Sequence, residues 1–287
     1  MKPRVSIPGV LVLIGALFLS FFSVYAETAQ EYSDSGKAYL KQGNFTQAVS
    51  DFTEAIKVNP NSADVYYQRG VAYAGLDNFI QAISDYTKAI KIDSNLAEAY
   101  YNRGLAYDKQ ENFTQSIFDY TRVIEINPKL SDAYFHRGLA YALQGRLPQA
   151  ISDFSRTIVV NPDPKLNPNL AEAYYNRALA YDKQGNFTQS ITDYTWAVEI
   201  NPNYAKAYNN RGFVYANQGN FTKAIYDYTN AIEIDPSLAE AYNNRGTVYY
   251  ALKQYGKAWA DVHKAEKLGL VVKAEFLAEL KKVSGRE

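Results

Sequence analysis

The sequence predicts an all-α chain of tandem helical hairpins, and three observations carry that reading. First, a block of 34 residues recurs: "VYYQRGVAYAGLDNFIQAISDYTKAIKID" begins at 65, and "AYYNRGLAYDKQENFTQSIFDYTRVIEIN" begins at 99. Second, apolar and small residues return at helical spacing in two separate sets within each block. Third, a Gly-Asn break divides the two sets, and Asn-Pro or Asp-Pro closes most blocks. A single hairpin cannot cover its own apolar face, so blocks of this kind stack on their neighbours into a solenoid.

Seven repeats stand in phase, at 29–62, 63–96, 97–130, 131–164, 171–204, 205–238 and 239–272. Positions below are counted from the first residue of each. One surplus of six residues, 165–170, breaks the period. It explains why "AYYNRGLAYDKQENFTQS" (99–116) returns 74 residues later as "AYYNRALAYDKQGNFTQS" (173–190). The surplus is expected to be a surface loop that leaves stacking intact. At the break, Gly43, Gly185 and Gly219 can end the first helix in the left-handed conformation, and Asn44, Asn186 and Asn220 can cap the second. Glu111 stands where repeat 3 lacks that glycine, so its turn is expected to do without a left-handed residue. Pro60 and Pro236 stop the second helix. The segment 273–283 is amphipathic, with Phe276, Leu277 and Leu280 on one stripe, and reads as a closing cap ahead of the tail to 287.

Tyrosine at position 4 (Tyr32 to Tyr242) and position 11 (Tyr39 to Tyr249), Gly or Ala at position 8, Ala or Ser at position 20 and an aromatic at position 24 make a fixed pattern. Small residues at 8 and 20 let two helices approach closely, and the aromatics fill the space around that contact. With its 34-residue period, this pattern resembles the tetratricopeptide repeat family. The resemblance implies a right-handed superhelix of helix-turn-helix units. It implies a concave groove lined by positions 2, 5, 6, 9, 12 and 13 of each first helix, and a role in protein–protein interaction. It places Tyr67, Tyr101, Phe135 and Tyr175 at position 5, and Gln68, Asn102, His136, Asn176, Asn210 and Asn244 at position 6. A row of carboxamides offers donors and acceptors to an extended peptide backbone. The family's chaperone-binding members use Lys at position 5 and Asn at position 9. This chain has aromatic and apolar residues there, so that activity is not carried over.

One departure from the family is charged. Position 7 reads Arg69, Arg103, Arg137, Arg177, Arg211 and Arg245, with Ser35 in repeat 1. Position 23 reads Asp51, Asp85, Asp119, Asp153, Asp193, Asp227 and Asp261. Half-buried charges need partners. If position 23 faces the next repeat, each Asp pairs forward: Asp51 with Arg69, Asp85 with Arg103, and so on to Asp227 with Arg245. That would be a structural ladder fixing register rather than a ligand site.

Nothing in the sequence assembles a catalytic centre. Cysteine is absent, and the two histidines, His136 and His263, fall in different repeats. No phosphate-binding glycine loop is present, and the Asp column is spaced rather than clustered. No enzyme activity, cofactor or metal is expected. Thirty basic residues balance thirty acidic ones, which gives no electrostatic footprint for nucleic acid. The partner is expected to be a protein or peptide; the oligomeric state is not legible. At the N-terminus, Lys2 and Arg4 precede an apolar run from Val10 to Phe22 and then Val24-Tyr25-Ala26. That layout predicts a signal peptide over 1–26 and an exported chain, periplasmic or secreted. The alternative is an uncleaved membrane anchor over 7–26, making the chain a membrane-anchored assembly scaffold; a further alternative role is an accessory subunit of an enzyme complex. Four Asn-Phe-Thr triplets, at Asn44, Asn112, Asn186 and Asn220, match a glycosylation acceptor but read better as helix caps.

Overall fold

The computed structural model describes residues 28–285. The expected leader or anchor and the last two residues of the tail lie outside them. The described residues form fifteen helices and two compact units. The first unit, up to Pro128, holds α1 (28–41), α2 (Phe45–Val58), α3 (Ala63–Gly75), α4 (Phe79–Ile92), α5 (Ala97–Lys109) and α6 (Phe113–Ile126). The second unit, from Lys129, holds α7 (Ser131–Leu143), α8 (Leu147–Val160), α9 (Leu170–Lys183), α10 (Phe187–Ile200), α11 (Ala205–Asn217) and α12 (Phe221–Ile234). It continues with α13 (Ala239–Ala251), α14 (Tyr255–Lys267) and α15 (Ala274–Ser284). Each repeat is one antiparallel hairpin, and within each unit successive hairpins stack. No helix of the described residues is long and apolar enough to cross a membrane.

Local chemistry explains the hairpin. Asn44, Asn78, Asn112 and Asn220 accept hydrogen bonds from the backbone N–H three residues on, capping the second helices. Asn186 caps α10 without that bond. The second helices of the first six repeats end on an Asn or Asp, Asn59 to Asp235, with φ between −123° and −140°. At the hairpin turn, Gly43, Gly145, Gly185 and Gly219 have φ of 74° to 76°. Glu111 does not avoid that conformation, contrary to the sequence expectation; it adopts it at φ 57°, as do Asp77 (55°) and Lys253 (58°). The reason is geometric: Asn112 N–H must return to Tyr107 O at 2.9 Å, and only a left-handed residue turns the chain that tightly.

The small residue at position 8 faces the aromatic ring at position 24 of its own hairpin. A Cβ on Gly70 would stand 2.6 Å from the Tyr86 ring, and one on Gly104 would stand 2.8 Å from the Tyr120 ring. Phe52, Tyr86, Tyr120, Phe154, Tyr194 and Tyr228 are accordingly buried as the centres of the first six hairpins, and Val262 takes that place in the seventh. Trp196 stacks on Tyr174, with centroids 6.0 Å apart, and lies along the surface.

The charged columns pair within the hairpin, not forward. Arg69 meets Asp85, Arg103 meets Asp119, Arg137 meets Asp153, Arg177 meets Asp193, Arg211 meets Asp227 and Arg245 meets Asp261, all at 2.7 to 2.8 Å. In each, Nε and Nη2 grip both carboxylate oxygens, as in Arg103 with Asp119. The expected forward pairing is thus overturned. Position 15 is the pivot of the hairpin, so positions 7 and 23, each eight residues from it, face each other across the two antiparallel helices. The link to the preceding repeat runs through the remaining nitrogen. Nη1 donates to position 25 of that repeat: Arg69 to Thr53 (3.1 Å), Arg177 to Ser155 (2.8 Å), Arg211 to Thr195 (3.0 Å) and Arg245 to Thr229 (3.0 Å). Ser35, in place of arginine, donates to Asp51 at 2.6 Å, so Asp51 too is satisfied inside its own hairpin.

The surplus between repeats 4 and 5 is only partly a surface loop. Its outer residues are exposed, but Asn167 is buried and donates to Asn161 O at 2.7 Å. Asn169 ties the segment to Asp132 of α7 at 3.1 Å. α8 and α9 still pack together, as α2 with α3 and α4 with α5 do. At the far end, Leu280 of α15 is buried and Phe276 meets Tyr250 edge-on at 5.3 Å.

The left-handed Glu111 yields a test. Replacing it with glycine removes a strain of roughly 1–2 kcal/mol and returns part of that as unfolded-chain entropy. Glu111→Gly should therefore raise stability by about 0.5–1 kcal/mol in urea unfolding. A loss of stability would contradict the turn assignment.

Candidate functional site

The first helices carry positions 5 and 6, and the structure ties these together across repeats. In the first unit, Asn102 Nδ2 donates to the Tyr67 hydroxyl at 3.0 Å. In the second unit a relay runs over three repeats. Asn244 donates to Asn209 Oδ1, Asn209 to Asn210 Oδ1, and Asn210 to the Tyr175 hydroxyl, each at 3.1 Å. Asn209 and Asn244 each donate once through Nδ2 in this relay, which leaves further hydrogen-bonding capacity for a ligand. The column is therefore part mortar between hairpins and part available surface.

The other expected groove residues fall differently. Gln68 bonds its own helix at Asp64 (3.3 Å), and Asn176 bonds the backbone of Glu172 (2.9 Å). His136 meets Phe135 edge-on at 5.4 Å. Tyr67, Tyr101 and Tyr175 are half-buried, each within about 6 Å of its own hairpin's central tyrosine. Phe135 is 3% exposed and belongs to the core of repeats 4 and 5, so it is not groove wall. Lacking a hydroxyl to keep at the surface, its ring sinks against Phe154 at 6.1 Å.

At the end of the relay lies a cavity of about 520 Å³. α11 contributes Asn209, Asn210 and Phe213; α13 contributes Asn243, Asn244 and Thr247. The loop into α15 closes the far side with Val271 and Lys273, α15 itself adds Phe276, and Glu240 of α13 adds an acidic group. Clefts of this size, apolar with a few convergent polar groups, are typical binding sites. Val271 is 92% exposed and Phe213 45%, so the apolar wall faces solvent. Sequence reasoning placed the carboxamides here but missed the closing wall. Leu270 in place of the usual proline, after Gly269 at φ 90°, was the available signal that the chain turns differently.

Asp182 stands at position 12 of repeat 5. Partial burial pushes its carboxyl above the ordinary range. Burial, and next the Asp182 charge, push the Tyr194 phenol upward.

Comparison with known families matches the tetratricopeptide repeat at 97–130, 171–204 and 205–238, and again at 119–152 and 227–260. A TPR repeat match covers 36–77 and 78–111. Together these span well over half of the chain, which belongs to the tetratricopeptide repeat family. Among solved structures, MamA aligns at 28% identity over 63% of this chain and 95% of its own, with a TM-score of 0.57. YrrB, described as a TPR protein with an unusual peptide-binding site, aligns at 24% identity over 66% and 95%, with a TM-score of 0.57. The C-terminal part of a TPR repeat-containing protein from Cytophaga hutchinsonii aligns at 20% identity over 85% and 97%, with a TM-score of 0.69. No curated sequence matches the chain.

Proposed function

We propose that the chain is a non-enzymatic interaction scaffold that holds an extended peptide segment of a partner protein along its first helices. The observation that carries this reading is the cavity at α11, α13 and the cap, where carboxamides converge with exposed apolar side chains. An extended strand presents an N–H and a C=O at every residue, and carboxamides answer both irrespective of side chain. Phe213, Val271 and Phe276 then supply a pocket for one apolar side chain. YrrB, a structural relative, has a peptide-binding site, which supports the same use of the fold.

Export is part of the proposal. It rests on the basic, apolar and small-residue order of residues 1–26. Retention of residues 7–26 would instead make the chain a membrane-anchored assembly scaffold. Sequencing the N-terminus of the chain recovered from its native host separates these: a start at Glu27 is expected, and a start at Met1 supports the anchor.

The groove is tested with a displayed library of random decapeptides selected on the full chain. Selected peptides should lose about tenfold or more in affinity against Val271→Asp and against Asn243→Ala/Asn244→Ala, measured by fluorescence anisotropy, with helicity unchanged. Undiminished binding by both variants would remove the cavity from consideration.

A further inference from the structure

The first helices carry a column of acids at position 2: Asp64, Glu98, Asp132, Glu172 and Glu240, with Gln30 in repeat 1 and Lys206 in repeat 6. Two of these acids are answered inside the chain. Lys37, at position 9 of repeat 1, meets Asp64 of repeat 2 at 2.8 Å. Asn169 donates to Asp132 at 3.1 Å. The Lys37 pair shows what stacking brings together: position 9 of one first helix reaches position 2 of the next.

In the last two repeats those two positions are Phe213 and Glu240, and both line the cap cavity. Position 9 turns apolar after repeat 1, from Val71 through Leu105, Leu139 and Leu179 to Phe213. The seat that Lys37 fills beside Asp64 is therefore held, beside Glu240, by an aromatic ring. Phe213 and Glu240 are both exposed.

No other cation of the chain takes over. Among the described residues, neither Lys206 of α11 nor Lys273 on the far side of the cavity forms an ion pair with Glu240. The cavity thus holds an acid without a counter-ion beside the open face of a phenyl ring. That arrangement is complementary to a ligand that brings the cation itself. Lys273 is exposed and likewise makes no ion pair among the described residues. Its charge disfavours a second cation in the same cavity.

We propose that the cap cavity selects one basic residue of the bound peptide, a lysine or arginine that takes against Glu240 the place Lys37 takes against Asp64. The Glu240 carboxylate accepts a charge-assisted hydrogen bond, and the face of Phe213 attracts the cation. The aliphatic stem of the base lies along Phe213, while Val271 and Phe276 keep the apolar residue. The site rests on the groove reading above and adds a partner chemistry to it: a segment with an apolar residue and a single base, rather than a basic run. Both protein groups are exposed, so the contact is partly solvated and changes affinity by a small factor.

The test uses peptides selected from the random decapeptide library on the full chain. A basic residue should recur among them, and replacing it with glutamine should cost about threefold to tenfold in affinity for the wild-type chain at low salt. Against Glu240→Gln the same replacement should cost less than about twofold. Phe213→Lys puts a cation where Lys37 stands against Asp64, so it too should abolish the preference, on top of the affinity lost with the ring. Lys273→Gln should leave the preference in place, and all three variants should keep their helicity. The proposal fails if no basic residue recurs, or if the glutamine replacement costs the same in wild type and Glu240→Gln. A preference lost in Lys273→Gln but kept in Glu240→Gln also overturns it. A selection that yields no peptide at all removes the groove reading, and this site with it. Peptides that bind the cavity without a basic residue remove this site alone.

Discussion

Within each unit an arginine at position 7 joins three pieces of the chain at once, as with Arg69, Arg103, Arg177, Arg211 and Arg245, and the stacking of the hairpins there depends on that join. Its fork grips the carboxylate at position 23 across the hairpin, so the two helices cannot slide past each other by a turn without breaking two hydrogen bonds. Its third nitrogen holds the preceding hairpin through Thr or Ser. Its plane stands near the tyrosines at positions 4 and 11, as Arg69 does over Tyr66 and Tyr73 at 5.7 and 5.8 Å. Burial pushes the Asp119 and Asp227 carboxyls upward, against the pull of Arg103 and Arg211. Such a pair brings little net stability over a well-packed apolar pair, yet costs about 3–5 kcal/mol when one partner is removed. Its effect here is to specify register.

With the charges facing inward, the carboxamides at position 6 of the first helices stay partly exposed. The carboxamide relay from Asn244 to Tyr175 then orders that surface without consuming it. The C-terminal cap does more than shield the last hairpin. Its loop supplies the far wall of the cavity, so one segment both ends the stack and shapes the site.

Much of this was legible in the sequence. The period, the two apolar sets, the caps at Asn44 and Asn112 and the small residues at position 8 follow from local rules of helix and turn. The direction of the ladder did not, because column 23 was assigned a face from spacing along one helix alone. Counting outward from the turn at position 15 brings 7 opposite 23 and would have given Arg211 with Asp227. Glu111 was misjudged because propensity disfavours a left-handed glutamate, whereas the returning hydrogen bond to Tyr107 demands one. Phe135 looked like groove wall by column, and only the depth of its ring against Phe154 removes it. The cavity wall depends on how residues 270–273 return, which no periodic rule fixes.

The ladder's direction is tested most directly by a pair of double-mutant cycles in urea unfolding. One cycle joins Arg211→Met with Asp227→Asn, and the other joins Arg211→Met with Asp193→Asn. Within-hairpin pairing predicts a coupling above about 1 kcal/mol for Arg211 with Asp227, and within about 0.5 kcal/mol of zero for Arg211 with Asp193. A strong coupling to Asp193 and none to Asp227 would mean that the ladder runs between hairpins, and the account of the fold would be wrong at its base.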